Sequence, residues 1–466
     1  MHLDLNFICN SVGGIRKNAD TNLTVTAVET DSRRIKPGML FFALRGENFD
    51  GHSFLKEVFD RGASAAVVSK SYENKIDLTA GMPLIFADDT LQALQDLARA
   101  YRKRFAIPVV AVTGSVGKTT SKDLLAMCLQ PRYKTLKTEG NYNNDIGLPL
   151  SVLRLQENHQ AAVFELAMRA PGEIGRLARI AIPTCALITN AEAVHLETLG
   201  SVENVAMAKT EVMAGLGKDS FALLNGDNKE LLDAARLYTC KKYSFGYNRN
   251  CDFQIKSVSV KNRGIEIDVR LLDQCEKIWL PLPSAKMASN VVSAAAVALL
   301  LGVDIDEIKD TLLGFKPGNN RLNIIYLPAG GIIINDTYNA NPLSMAAALE
   351  TGRELTGKNR LVAVLGDMFE LGAYEVDGHL EVGQKAVESG VNVLVAIGER
   401  AKLIAQGARE AGMKDEYISS FSTKADGLEF LFHNIEQKDT ILFKASRGMQ
   451  LETMVTELIS HLNGKL

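Results

Sequence analysis

Ile107-Pro108-Val109-Val110-Ala111-Val112-Thr113-Gly114-Ser115-Val116-Gly117-Lys118-Thr119-Thr120 is the stretch whose reading decides the fold. A β-branched apolar run, a glycine turn and then apolar residues at Leu124, Leu125, Cys128 and Leu129 predict a strand, a loop and an amphipathic helix. Gly114 and Gly117 let backbone N–H groups close around phosphate oxygens, and the helix starting near Lys118 offers its positive end to the same anion. Lys118 is expected to reach the outer phosphates of a nucleoside triphosphate, and the Thr119 hydroxyl to bind Mg2+. Val112 stands where the general phosphate-loop pattern has its first glycine, so residues 113–120 match a shortened Thr-Gly-x-x-Gly-Lys-Thr-Thr form. An ordinary glycine turn before a helix has no need of a lysine and two threonines in that order.

Around this stretch lie 466 residues, too many for one core, which suggests about three domains. The chain is 46% hydrophobic and 23% charged, the balance of an ordinary globular protein, and its formal charge of −3 argues against nucleic-acid or anionic-membrane partners. Cysteines at 9, 128, 185, 240, 251 and 275 form no C-x-x-C pair and no metal-ligand spacing, as expected of free thiols in a reducing cytoplasm. Met1-His2-Leu3-Asp4 shows no export signal, and the apolar run Ala294 to Leu301 is too short to insert in a bilayer. These features predict a cytoplasmic location.

Outward from the phosphate loop, alternating strand and helix patterns predict an α/β protein of three units: residues 1–105, 106–316 and 317–466. In the first, short strands (Val25–Val28, Leu40–Leu44, Ala65–Ser69, Leu84–Phe86) precede a helix from Thr90 to about Phe105. Its polar clusters Asp31-Ser32-Arg33, Arg45-Gly46 and Asp50-Gly51-His52 fall at strand ends and turns, where either ligand binding or turn conformation explains them.

In the central unit, a loop rich in side-chain amides carries Asn141, Asn143 and Asn144 into a helix. Ala161–Phe164 reads as a buried strand ending at Glu165, and Cys185–Thr189 as another ending at Asn190. Residues past the carboxyl ends of parallel strands face the ligand crevice, so Glu165 is placed like a Mg2+ ligand opposite Thr119. His195 follows the second strand end and reads as a capping, packing or ligating histidine. Lys209 falls on the apolar stripe of Val202, Val205, Ala206, Val212 and Met213, where a lysine either snorkels or has a chemical role. Alternation through Phe253–Val260 and Ile265–Leu271 around Asn262-Arg263-Gly264 predicts a hairpin appended to the sheet. An alanine-rich helix then runs from about Ser289 to Leu301, with Asn290 read as its cap or as a base contact, and Arg321 sits at the linker beyond. In the last unit four strands release polar residues at their carboxyl ends, which suggests a Rossmann-like sheet, and no G-x-G-x-x-G opens it.

Residues 113–120, Asn141 through Pro149, Asn190 through His195 and Asn335-Asp336-Thr337-Tyr338-Asn339-Ala340-Asn341-Pro342 together resemble the Mur ligases of peptidoglycan synthesis. Tyr338–Pro342 and Gly366–Gly372 are similar to the branch that adds D-Ala-D-Ala to UDP-MurNAc-tripeptide. The resemblance implies a three-domain architecture with a P-loop sheet at its centre, and an ATP-driven amide ligase working with Mg2+. It assigns ATP to the phosphate loop, Asn290, Arg321, Asp336, Tyr338 and Asn339, and Mg2+ to Thr119, Glu165, His195 and Lys209, the last as a CO2-derived carbamate. It turns Asp31, Ser32, Arg33, Arg45, Gly46, Asp50, Gly51 and His52 into candidates for the UDP-sugar end. Asn141, Asn143, Asn144, Lys444, Ser446 and Arg447 are then candidates for the peptide ends. A monomer is expected.

The family's Gly-x-His-Asn before the alanine-rich helix is here Ser284-Ala285-Lys286-Met287, its Glu-Leu-Gly is Glu165-Leu166-Ala167, and its Lys-Gly-Ser is Lys444-Ala445-Ser446. Another amino-acid-adding ligase of the superfamily, or a P-loop protein using ATP as a switch, are the competing readings.

Overall fold

Val109–Thr113 forms a strand in which every residue is buried, within a nine-stranded sheet. Ala161–Glu165 lies parallel on one side with Glu165 opposite Val112, and Cys185–Ile188 on the other with Ile188 opposite Thr113. That register delivers the phosphate loop, Glu165 and Asn190 to the carboxyl ends of three adjacent parallel strands. The structure is a computed structural model, and it describes residues 2–18, 23–46, 49–76, 81–194, 196–261, 263–318, 320–328 and 330–464.

Beyond Cys185–Ile188 the sheet continues in parallel through Phe221–Asn225 and Lys241–Gly246 into Phe253–Lys261, and then turns antiparallel through Gly264–Leu271 and Gln274–Leu280. The expected hairpin is present, with Val260 opposite Ile265; Asn262 of its turn lies outside the described residues. Gln274–Leu280 was not foreseen, because only two of its seven residues are buried and apolar alternation is weak. The helix Ala288–Leu300 is apolar on nearly all sides because it is buried among the sheet and the phosphate-loop helix Lys118–Cys128. Asn290 is not its cap: the helix begins two residues earlier, after Met287, and Asn290 sits within the first turn.

The first unit is a five-stranded sheet in the order Ile15–Lys17, Leu84–Ala87, Ala65–Ser69, Met39–Phe42, Ala27–Glu29, with only the first strand antiparallel to its neighbour. The run expected as one strand at Val25–Val28 is divided. Val25 pairs with Leu3 in a separate two-stranded sheet, while Ala27–Glu29 pairs with Met39–Phe41. The helix Thr90–Arg102 stops short of Phe105, and the buried Arg102 side chain donates to the carbonyls of Phe105, Ala181 and Ile182. Leu94, Leu97 and Tyr101 of this helix share one core with Val109, Ala111, Ile174 and Leu177 of the central unit.

The third unit has six strands in the order Asn323–Tyr326, Ile332–Asn335, Thr440–Lys444, Leu361–Gly366, Val393–Ile397, Ile418–Phe421. All but the first pair in parallel, and separate apolar cores cover the two faces. This is a doubly wound, Rossmann-like sheet. The expected four strands are the inner ones; the two edge strands are half-exposed and carry too little apolar pattern to read. Among the described residues no helix is long and apolar enough to cross a membrane. The six cysteines are unpaired with one another.

Candidate active site

The phosphate loop is held in shape by its neighbours. Asn190 Oδ1 accepts the amides of Ser115 and Val116, both at 2.9 Å, and Thr189 Oγ1 donates to Val116 O at 2.7 Å. Gly114 has φ +153°, and a Cβ there would lie 1.9 Å from Thr189 Oγ1. Gly117, at φ +82°, precedes the helix Lys118–Cys128. Asn290 Nδ2 donates to Gly117 O at 3.1 Å and to Ser121 Oγ at 2.9 Å, so the alanine-rich helix braces the loop from behind. Sequence reading placed Asn190 at a strand end without foreseeing that it holds the loop.

Lys118 Nζ folds back on its own loop, donating to Gly114 O at 2.7 Å and Ser115 O at 3.0 Å. Burial pushes this ammonium below the usual lysine range; Glu165 opposes that shift and Arg321 adds to it. A bound phosphate would compete with these two carbonyls for Nζ, and a charged acceptor makes the stronger hydrogen bond. Glu165 is 2% exposed. Its Oε1 accepts Asn143 Nδ2 at 2.8 Å, its backbone N–H donates to Thr138 Oγ1 at 3.0 Å, and its Oε2 is buried without a hydrogen-bond partner. Lys209, in the helix Val202–Thr210, is equally buried; desolvation, then the charge of Lys118, push its ammonium well below the ordinary range. His195 lies outside the described residues.

Across from these groups stand residues of the third unit. Asp336 follows the strand Ile332–Asn335; its Oδ2 accepts Lys444 Nζ at 2.5 Å and its Oδ1 accepts Leu322 N at 3.0 Å. Lys444 also donates to Asn339 O at 3.0 Å. The Arg321 guanidinium lies 3.7 Å from the Tyr338 ring centroid, and that of Arg447 5.7 Å from the same ring. Ser446 Oγ accepts Phe369 N at 2.8 Å. All these residues, with Ser115 through Ser121, Asn141, Asn143, Asn144, Glu165 and Asn290, line one cleft of about 1010 Å³ between the central and third units. Asn144 is also used structurally, its Oδ1 accepting Ile146 N and Gly147 N at the start of a helix.

The residues singled out in the first unit do not line this cleft. Arg33 forks onto Asp31 at 2.7 and 2.9 Å and, chiefly through that bond, holds its carboxyl at about 2. Ser32 is buried beside them. Asp50 accepts the His52 Nδ1–H at 2.6 Å and the Tyr72 hydroxyl, and the His52 ring stacks on Tyr72 at 3.9 Å. Ser69 N donates to His52 Nε2 at 2.9 Å, so the ring is held from both nitrogens. The backbones of Arg45 and Asp50 pair in an isolated antiparallel bridge, and Gly51 packs so closely on Leu44 O that a Cβ would lie 2.8 Å from it.

Contacts across the cleft had no local signature in the sequence. Ser284 Oγ and Thr351 Oγ1 share a buried hydrogen bond of 2.9 Å, Lys286 pairs with Glu350 at 2.6 Å, and Arg169 pairs with Glu370 at 2.8 Å. Lys286, where the resemblance expects a histidine, thus ties the central unit to the helix Pro342–Thr356.

Among the described residues no group of three His, Cys, Asp or Glu side chains could by itself hold a metal ion. The orphaned Glu165 Oε2, in the cleft that Thr119 also lines, instead fits a cation bound largely by phosphate oxygens.

A phosphate loop at the carboxyl ends of parallel strands, facing a Rossmann-like unit across a polar cleft, is the arrangement of an ATP-dependent ligase. The chain belongs to the Mur ligase family: the family's catalytic domain matches residues 24–102, its middle domain 112–298 and its glutamate ligase domain 320–447. The UDP-N-acetylmuramoyl-tripeptide–D-alanyl-D-alanine ligase of Bacillus subtilis is 38% identical over 97% of both chains. The MurF crystal structure from Acinetobacter baumannii superposes with a TM-score of 0.89 at 29% identity, covering 99% of each chain. MurF from Thermotoga maritima, solved with ADP, gives 0.82 at 26% identity over 95% of this chain and 99% of that one.

Proposed function

We propose that this chain joins D-Ala-D-Ala to UDP-MurNAc-tripeptide at the expense of ATP, releasing ADP and phosphate. The observation that carries this reading is one cleft that presents Lys118 and Glu165 from the central unit to Asp336, Tyr338 and Lys444 of the third. Residues 1–105 are taken as the unit for the UDP-sugar end, with Asp31 to Arg33, Arg45, Gly46 and Asp50 to His52 as its candidate contacts. Residues 106–316 hold ATP, and residues 317–466 close over it and receive the dipeptide, with Arg321, Asp336, Tyr338 and Asn339 on the nucleotide side and Lys444, Ser446 and Arg447 towards the dipeptide. Both substrates are small molecules, and the enzyme is read as a cytoplasmic monomer.

Thr119 and Glu165 would hold one Mg2+, and His195 and Lys209 a second, the histidine on family resemblance alone. Bound there, Mg2+ offsets the negative charge crowded between a carboxylate and the phosphates. Lys209 is read as a carbamate: its amine adds to CO2 and loses a proton, turning a buried cation into an anionic ligand. Support comes from its burial beside Lys118, which favours the neutral amine that the addition needs. In the ligation, a terminal carboxylate oxygen of the tripeptide attacks the γ-phosphorus and ADP departs, leaving an acyl phosphate. Lys118 stabilises the oxygens of the transferred group. The free amine of D-Ala-D-Ala then attacks the acyl carbon, phosphate leaves, and the amine proton is lost to solvent. Cleft closure keeps water from the acyl phosphate.

Mass spectrometry of the nucleotide product tests this reading. The expected gain is one D-Ala-D-Ala residue pair per ADP formed; a product extended by a single amino acid would assign the chain to another branch of the family.

A further inference from the structure

Glu165 presents two unlike carboxylate oxygens. Oε1 accepts the Asn143 amide at 2.8 Å, while Oε2 is buried with no hydrogen-bond partner. Asn143 is itself fixed on both sides: its N–H donates to Asn141 O at 2.8 Å, and its carbonyl accepts Ala167 N at 3.0 Å. With the bond from Glu165 N to Thr138 Oγ1, these contacts lace residues 138–143 onto the strand exit at 165–167. The lacing is anchored from the first unit, where Arg34 donates to the Tyr142 hydroxyl at 2.5 Å and Gln95 Nε2 to Asp145 O at 3.1 Å.

We propose that Asn143 is a positioning residue for the cation site: its amide pins Glu165 Oε1 so that Oε2 remains the oxygen free to bind the metal. The proposal rests on the reading of Glu165 as a metal ligand. A neutral donor suits this task, because it orients a carboxylate without neutralising it; a lysine or arginine in its place would compete with the cation. The sequence suggested a substrate contact for Asn143; one of its amide N–H groups is given to Glu165, and its second N–H and its Oδ1 remain for the cleft that the residue lines.

The test is Mn2+ binding to the full chain with saturating ADP, followed by electron paramagnetic resonance, in Asn143→Ala, Asn143→Leu and Glu165→Gln. Leucine keeps the branching of asparagine at Cγ without its polar atoms, and thermal unfolding reports integrity. Both Asn143 variants are expected to weaken Mn2+ binding by about ten- to a hundredfold. Their kcat should recover at high Mg2+, and their KM for UDP-MurNAc-tripeptide should not change. Folded Asn143 variants with unchanged Mn2+ affinity, or with the loss confined to the tripeptide KM, would overturn the proposal while leaving Glu165 in place. Unchanged affinity in Glu165→Gln would instead overturn the reading of Glu165 on which it rests.

Discussion

Lys444 and Asp336 meet at 2.5 Å, although 108 residues separate them in sequence. They are brought together because Ile332–Asn335 and Thr440–Lys444 are parallel neighbours with Asn335 opposite Phe443. Lys444 has a side-chain exposure of 3% and Asp336 of 18%, so the pair is unequal. Asp336→Ala would leave a buried ammonium with one carbonyl partner and should destabilise the third unit by about 3 kcal/mol. Lys444→Met leaves a carboxylate that still reaches water and Leu322 N, and should cost less. Urea unfolding of the two variants checks the order; a larger loss in Lys444→Met would contradict it.

Gly114→Ala should damage the phosphate loop more than any other single methyl group. The added carbon would meet Thr189 Oγ1 at 1.9 Å and Asn190 N at 3.2 Å, the two residues that hold the loop. Nucleotide affinity is expected to fall at least about tenfold, roughly 1.4 kcal/mol. Calorimetric titration with ADP measures it, and wild-type affinity would show that the loop tolerates the rearrangement.

Lys209→Ala should lower turnover by at least about a hundredfold. Added formate or acetate should restore part of it by supplying the missing carboxylate, whereas Lys209→Arg should be neither active nor rescued. Full activity in Lys209→Ala would remove the carbamate from the account. A carbonyl resonance from 13C-labelled CO2, lost in Lys209→Arg, would be its direct signature.

The Asp50 carboxyl governs part of the acid stability. Burial pushes it up, but bonds from Tyr72 and His52 outweigh that and bring it to about 2, against 3.8 for the free group. The unfolded chain therefore binds more protons between these values. The Asp50 contribution is complete above pH 3.8 and is lost as pH falls through about 2. Asp50→Asn should flatten the acid limb of stability in that window, as followed by circular dichroism. An unchanged limb would mean that the bonds to Asp50 do not persist in solution.

Much of the site was legible because its residues sit at strand ends beside recognisable local patterns. The phosphate loop and Glu165 after a buried run follow from spacing; Lys209 on an apolar stripe is buried, as the stripe implies, but is not among the residues that line the cleft. What could not be read depends on partners distant in the chain. Asn290 reads as a cap or a base contact; it is not the cap, and its amide braces Gly117 across 173 residues. Asn143 reads as a substrate candidate, and the bond its amide makes to Glu165, 22 residues on, had no local signature. The links Ser284 to Thr351 and Arg169 to Glu370 join units whose docking no local pattern encodes. Edge strands such as Asn323–Tyr326 were missed for a simpler reason: half-exposed, they do not need the apolar alternation that reveals a buried strand.

The most direct test of the central claim is phosphate release from ATP with Mg2+ and UDP-MurNAc-tripeptide, with and without D-Ala-D-Ala, and with single D-Ala, L-amino acids or glutamate in its place. Sustained release only when the dipeptide is present is the predicted result. Release that ignores the amine acceptor, or that is supported equally by a single amino acid, would contradict it.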